Sequence, residues 1–126
     1  LRDMDADGDP ITEILTYAQR KLDLSRDYPR ESRLFANEIL QGAPRLAYTL
    51  PTLKSLVDEK AAIIQTWVND GKVAAIDPYH LIFLIWGQTQ HYADFDVQVR
   101  AVLGSDDPYP GAAIFLEHTL RRLLAP

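Results

Sequence analysis

At 126 residues, 47% of them hydrophobic and 25% charged, the chain has the size and balance of one globular domain. A net charge of −5 excludes a surface that grips nucleic-acid phosphates unaided, and the absence of cysteine excludes disulfides, thiol nucleophiles and thiolate metal sites. No apolar run approaches the ~20 residues that span a bilayer and no signal-peptide pattern opens the chain, so a soluble, cytoplasmic domain with no membrane partner is expected.

Leu1–Gly8 (LRDMDADG) carries no initiator methionine and reads as the tail of a preceding element. Helix signals then dominate. Asp9-Pro10 supplies an N-cap acceptor and a proline at the first helical position, where its missing N–H does no harm. Ile11, Ile14, Leu15, Ala18 and Leu22 follow at three- and four-residue steps. Tyr28-Pro29 ends that helix, because a residue before proline is pushed out of the α region. A second helix is predicted from Pro29 to Gln41, with Leu34, Phe35, Ile39 and Leu40 inward and Gly42 as its stop. Pro44 and Pro51 bracket RLAYTL, read as one or two helical turns before a kink.

Leu53, Leu56, Val57, Ile64, Trp67 and Val68 mark a long third helix that Asn69-Asp70-Gly71 closes. Val73–Ile76 is apolar but too short to anchor a sheet. Asp77-Pro78 repeats the first cap and launches IDPYHLIFLIWGQTQHYADFDVQVRAVLG (Ile76–Gly104), the most informative stretch of the chain. Its unbroken apolar run from Leu81 to Trp86 covers every face of a helix, so burial on more than one side is predicted, by this domain and by a second chain. Phe95-Asp96 is a predicted bend, and Val97, Val99, Val102 and Leu103 carry the segment to Gly104. The turn-rich SDDPYPG (Ser105–Gly111) precedes a last helix with Ala113, Leu116, Leu120, Leu123 and Leu124 in register. The fold class is all-α, five or six helices joined by short loops.

Catalytic and metal chemistry find no footing. His80, His91 and His118 form neither H-E-x-x-H nor paired E-x-x-H spacing; His91 and Asp94 share a face, but two ligands do not make a site. Ser25, Ser32, Ser55 and Ser105 stand in polar or turn contexts, with no G-x-S-x-G elbow and no glycine-rich phosphate loop. Asp58-Glu59 beside Lys60 reads as a solvated helix face. The chain is not expected to be an enzyme or to carry a cofactor or metal. The aromatics point elsewhere. Phe35, Trp67, Phe83 and Trp86 fall on apolar faces of three helices, which suits either core packing or one shared cavity. Trp86 and Gln90 lie four apart and share a face. An indole beside a carboxamide that both donates and accepts suits a planar heterocycle with amide edges, or a core tryptophan beside a satisfied core glutamine.

SRLFANEILQGAP (Ser32–Pro44), DEKAAIIQTWV (Asp58–Val68) and IDPYHLIFLIWGQTQHYADF (Ile76–Phe95) resemble the C-terminal domain of TetR-type transcriptional regulators, most closely their pyrimidine-utilisation branch. The resemblance covers most of residues 10–104; the last helix, Gly111–Pro126, fits by position alone. It implies a homodimer whose C-terminal domain, here residues 1–126, binds a small effector and dimerises through a four-helix bundle. DNA would be met only through an N-terminal helix-turn-helix domain that this chain does not contain. A tryptophan and a glutamine line the uracil pocket of that branch and match Trp86 and Gln90, with Phe35, Ile64, Trp67 and Phe83 expected as further walls. Gly87 and Gln88 replace the branch's alanine and small hydroxyl, and Gly87 is expected on the pocket side, widening it. Leu84, Gln88, His91 and Phe95, with Leu116, Leu120 and Leu123, are the expected dimer interface. The effector would act by population shift, favouring one spacing of two DNA-reading heads. A dimerisation module without a ligand is the alternative.

Overall fold

The computed structural model describes residues 3–104 and 107–126. Leu1 and Arg2 of the opening segment, and Ser105 and Asp106 of the turn, lie outside the described residues. Among the described residues the chain forms six α-helices and no strand: α1 (Pro10–Asp27), α2 (Pro29–Leu40), α3 (Leu50–Asn69), α4 (Pro78–Asp94), α5 (Asp96–Leu103) and α6 (Tyr109–Leu124). None of these helices is long and apolar enough to cross a membrane.

The two Asp-Pro signals act as caps. The Asp9 carboxylate accepts from the Thr12 backbone N–H at 3.0 Å and its hydroxyl at 2.7 Å; the Asp77 carboxylate accepts from the N–H groups of Tyr79 and His80 at 2.9 and 3.1 Å. Each cap satisfies backbone donors that the first turn leaves open. The helices so launched, α1 and α4, pack along each other as the centre of the fold, with α6 against α1 and both α2 and α3 against α4. Ile14, Ala18 and Leu22 of α1 meet Leu81, Ile82 and Ile85 of α4 in the core, which Ile64 and Trp67 of α3 and Leu116, Leu120 and Leu124 of α6 complete.

Local details depart from expectation where proline and tertiary contacts decide. Pro51 does not kink the chain; it sits in the first turn of α3 and starts it, since that position needs no N–H. RLAYTL forms a short 3₁₀ turn over Ala47–Thr49, preceded by a tight reversal at Gly42 (φ 89°) and Ala43 (φ 57°). The Glu38 carboxylate holds that reversal by accepting from the N–H groups of Arg45 and Leu46. Val73 is buried and the Ala74 N–H donates to the Leu124 carbonyl, so this stretch pins the end of α6 rather than forming a strand. The expected bend falls at Phe95 (φ −119°, ψ 33°), which separates α4 from α5. The last helix begins at Tyr109, before the predicted Gly111, because Pro110 is again in a first turn. Residues 3–9 fold back onto the core: Met4 is buried, and the Trp67 indole N–H donates to the Ala6 carbonyl at 3.2 Å.

Candidate functional site

The face of α4 that carries Trp86 and Gln90 looks into the space between α1, α2 and α3. Thr89, next to them in sequence, is fully buried and turns its hydroxyl back to the Ile85 carbonyl at 2.8 Å. Trp86 is half-buried, and its indole N–H donates to the Tyr17 hydroxyl of α1 at 2.8 Å. The Gln90 carboxamide, by contrast, has no hydrogen-bond partner among the described residues, although it is half-buried. A carboxamide offers two donors and an acceptor, so a half-buried one left idle is a place where a ligand edge fits.

Two cavities adjoin this pair and share Trp86 and Leu53 as walls. The larger, about 630 Å³, lies between α2 and α4 and is lined by Phe35, Leu40, Leu50, Trp86, Gln90 and Phe95 among others. Ser32 of α2 donates to the Asp94 carboxylate at 2.7 Å, and Arg33 donates to the Ala93 carbonyl at 3.0 Å, so α2 is clamped to the end of α4 beside it. The smaller cavity, about 330 Å³, lies between α1 and α3 and is lined by Tyr17, Lys21, Leu53, Val57, Lys60 and Trp86 among others. A recess of about 150 Å³, lined by Lys21, Leu24, Ser25, Ser32, Phe35 and Gln90, touches residues of both. The two cavities, though not the recess, fall in the size range of small-molecule sites.

Burial pushes the Tyr17 hydroxyl above the ordinary phenol range, and the bond from Trp86 offsets this only partly, so Tyr17 stays neutral and keeps a hydrogen to donate. Burial, reinforced by the like charge of Lys60, holds the Lys21 ammonium below the ordinary lysine range. The charged form of Lys21 is thus disfavoured in the folded state. Its penalty is full at neutral pH, where the unfolded chain carries the charge freely, and it fades as pH rises through the lowered folded value toward that of an ordinary lysine. Lys21→Met is therefore expected to raise Tm at pH 7 by roughly 2–5 °C, the shift that about 1 kcal/mol brings in a domain of this size. The gain should shrink in thermal melts as pH rises toward the ordinary lysine range; a fall in Tm at pH 7 would contradict the buried-charge account.

Of the expected pocket residues, the structure brings Trp86, Gln90 and Phe35 to one cavity. Ile64 and Trp67 are not there. They are 1% and 2% exposed and pack in the core, because residues 3–9 cover the outer edge of Trp67. Phe83 is half-exposed; it touches the Trp86 ring (centroids 5.6 Å apart) and the edge of His80, but lines neither cavity that Trp86 borders. Gly87 is likewise on the outward face, where an added Cβ would meet nothing within 4 Å, so it does not widen the pocket.

Of the expected interface residues, Leu84, His91, Phe95 and Leu123 are exposed and Gln88 is half-buried, with His91 stacked on Phe95 at 4.9 Å. Phe95 also edges the larger cavity. Leu116 and Leu120 cannot meet a partner, since they are 3% and 0% exposed. Their four-residue step, shared with Ala112 and Leu124, turns them into the core that α1 completes. The outward face of α6 instead carries Ile114 and Phe115, 61% and 60% exposed. Sequence reasoning also missed Tyr17, Lys21 and Lys60, whose only signal was the Tyr17–Lys21 step flanking the apolar face of α1. Asp58 stands on a solvated face, as expected, and there accepts from Lys54 and from the Tyr79 hydroxyl, each at 2.7 Å, which links α3 to α4. Among the described residues no group of three or more histidines and acids is placed to hold a metal.

Residues 1–124 match the family model described as the C-terminal region of YcdC-like proteins. The chain is 58% identical over 97 residues to the HTH-type transcriptional regulator RutR of Escherichia coli O157:H7, and 57% identical over the same length to that of E. coli strain K12 and that of Shigella flexneri. Each match covers 76% of this chain and 46% of the relative, so the chain spans less than half the length of these relatives.

Proposed function

This chain belongs to the TetR family of transcriptional regulators, as the C-terminal region of its YcdC-like, RutR-related members, and on that premise we propose that it is a cytoplasmic, effector-sensing dimerisation domain whose effector is uracil or a related pyrimidine. The observation that carries this reading is the idle Gln90 carboxamide beside the half-buried Trp86 on the cavity between α2 and α4. The indole offers a flat apolar wall. The carboxamide offers one acceptor and two donors, which complement the alternating N–H and C=O edge of a pyrimidinedione. Tyr17, fixed by Trp86, offers a further donor at the seam between the cavities.

The outward residues of α4 and α6, chiefly Phe83, Leu84, Ile114 and Phe115, are the proposed dimer faces, paired about a two-fold axis as a four-helix bundle. DNA is met through a helix-turn-helix domain outside residues 1–126. Ligand in the cavity draws α2 and α4 together and so selects one arrangement of the dimer; only its differential affinity for the two arrangements does regulatory work.

The direct test is thermal unfolding with uracil, thymine and unrelated heterocycles. A ligand at one hundred times its Kd stabilises by about 2.7 kcal/mol, which gives a clear rise in Tm. Uracil is expected to stabilise the chain and Gln90→Leu to abolish that rise while the dimer persists in sedimentation. A uracil response that survives Gln90→Leu would remove Gln90 from the site.

A further inference from the structure

Two lysines converge where the pyrimidine reading needs none. The ammonium of Lys21 lies 5.7 Å from the centroid of the Tyr17 ring and 5.9 Å from that of Trp86, and the ammonium of Lys60, arriving from α3, lies 6.0 Å from the same Tyr17 ring. Both line the cavity between α1 and α3. Among the described residues neither forms a salt bridge; Asp3 stands on the same cavity but pairs with neither. Two like charges set about one phenol ring and on one cavity repel each other, and Lys21 loses water as well. A bare stabilising role does not account for this, since a neutral side chain of similar length would pack there without the penalty. Aromatic faces offset part of the cost, yet a cation over a ring is still left with donors to give. An anion held in the cavity that both lysines line relieves both the repulsion and the lost hydration.

The cavities say what else that anion carries. Trp86 and Leu53 wall both the lysine cavity and the Gln90 cavity, and the small recess brings Lys21 and Gln90 into one lining. We propose that Lys21 and Lys60 form an anion subsite, so that the effector is a planar, single-ring heterocycle that carries a carboxylate in addition to the amide edge read by Gln90. The inference rests on the site proposed above and narrows its ligand from neutral pyrimidines to their acid derivatives. A free phosphate or sulfate lacks the ring and engages only the lysine end.

Calorimetric titration of the full 126-residue chain with uracil and with uracil-6-carboxylate tests it. The carboxylate is expected to bind at least tenfold tighter at low salt, with the advantage shrinking as ionic strength rises. Lys21→Met with Lys60→Met should bring the ratio of the two affinities down to one, whereas Lys21→Arg with Lys60→Arg should keep it well above one. Thermal melts of each variant verify that the fold is intact, and inorganic phosphate should bind far more weakly than the carboxylate. Uracil binding as tightly as its carboxylate, or a preference that survives loss of both lysines, overturns the anion subsite while leaving the pyrimidine site standing. Failure of both ligands to bind overturns the two readings together.

Discussion

Trp67→Ala is expected to remove about 3–5 kcal/mol of folding stability, the range for a large aromatic deleted from a core. That is a large part of the 5–15 kcal/mol that holds a typical domain folded. The magnitude follows from position. Trp67 is 2% exposed and is packed with Ile64 and residues of α1, α4 and α6 in the central cluster. Its indole N–H bonds the Ala6 carbonyl, so the substitution also frees the segment that lids this side of the core. Alanine leaves a cavity that the packed helices close only partly, and the segment before α1 loses its bond to the indole. Urea unfolding measures this: with a slope of about 1–3 kcal/mol per molar, the midpoint falls by more than 1 M. Trp86→Ala, by contrast, removes a half-buried ring at a cavity wall and should cost less stability while abolishing effector binding. Trp67→Phe keeps most of the volume and leaves Trp86 as the single tryptophan, whose emission then reports on the site alone. If Trp67→Ala kept its midpoint and lost only the ligand response, Trp67 would be a pocket wall after all.

The contrast between the two tryptophans shows what was legible in the sequence. Both lie on apolar helix faces, and periodicity treats them alike. What divides them is a neighbour remote in the chain: residues 3–9 cover Trp67, whereas a cavity adjoins Trp86. Features set within a few residues were readable, such as the Asp9-Pro10 and Asp77-Pro78 caps, the break at Phe95 and the shared face of Trp86 and Gln90. Lys21 and Lys60 were not, because each is an ordinary helix-flank lysine until α1 and α3 set both over one Tyr17 ring. The leucines of α6 failed for a third reason. Leu116, Leu120, Leu123 and Leu124 satisfy two apolar faces at once, and only the position of α1 decides that 116, 120 and 124 turn inward.

With Leu120 turned into the core and Phe115 turned outward, two substitutions on α6 separate fold from assembly. Phe115→Glu is expected to split the proposed dimer while leaving the protomer folded; Leu120→Ala is expected to do the reverse, costing about 2–5 kcal/mol of stability through the core. Phe115 is 60% exposed in the single chain, so a carboxylate there stays hydrated and meets no desolvation cost until a partner arrives. In a two-fold interface every substitution occurs twice. Losing an aromatic anchor worth about 2 kcal/mol on each side weakens the dimer by about 4 kcal/mol, close to a thousandfold in Kd, before the repulsion of two buried carboxylates is added. Sedimentation velocity across a concentration series reads the Kd, and thermal melts under monomeric conditions read the fold. A Phe115→Glu chain that sediments as an unchanged dimer would place the interface elsewhere than on the outward face of α6. A monomer would separate sensing from signalling: Trp86 and Gln90, the residues proposed to read the effector, stand on the same chain, so the effector should still bind. On the proposed reading, what disappears is the second copy whose position the effector biases, and with it the means of turning occupancy into a regulatory change.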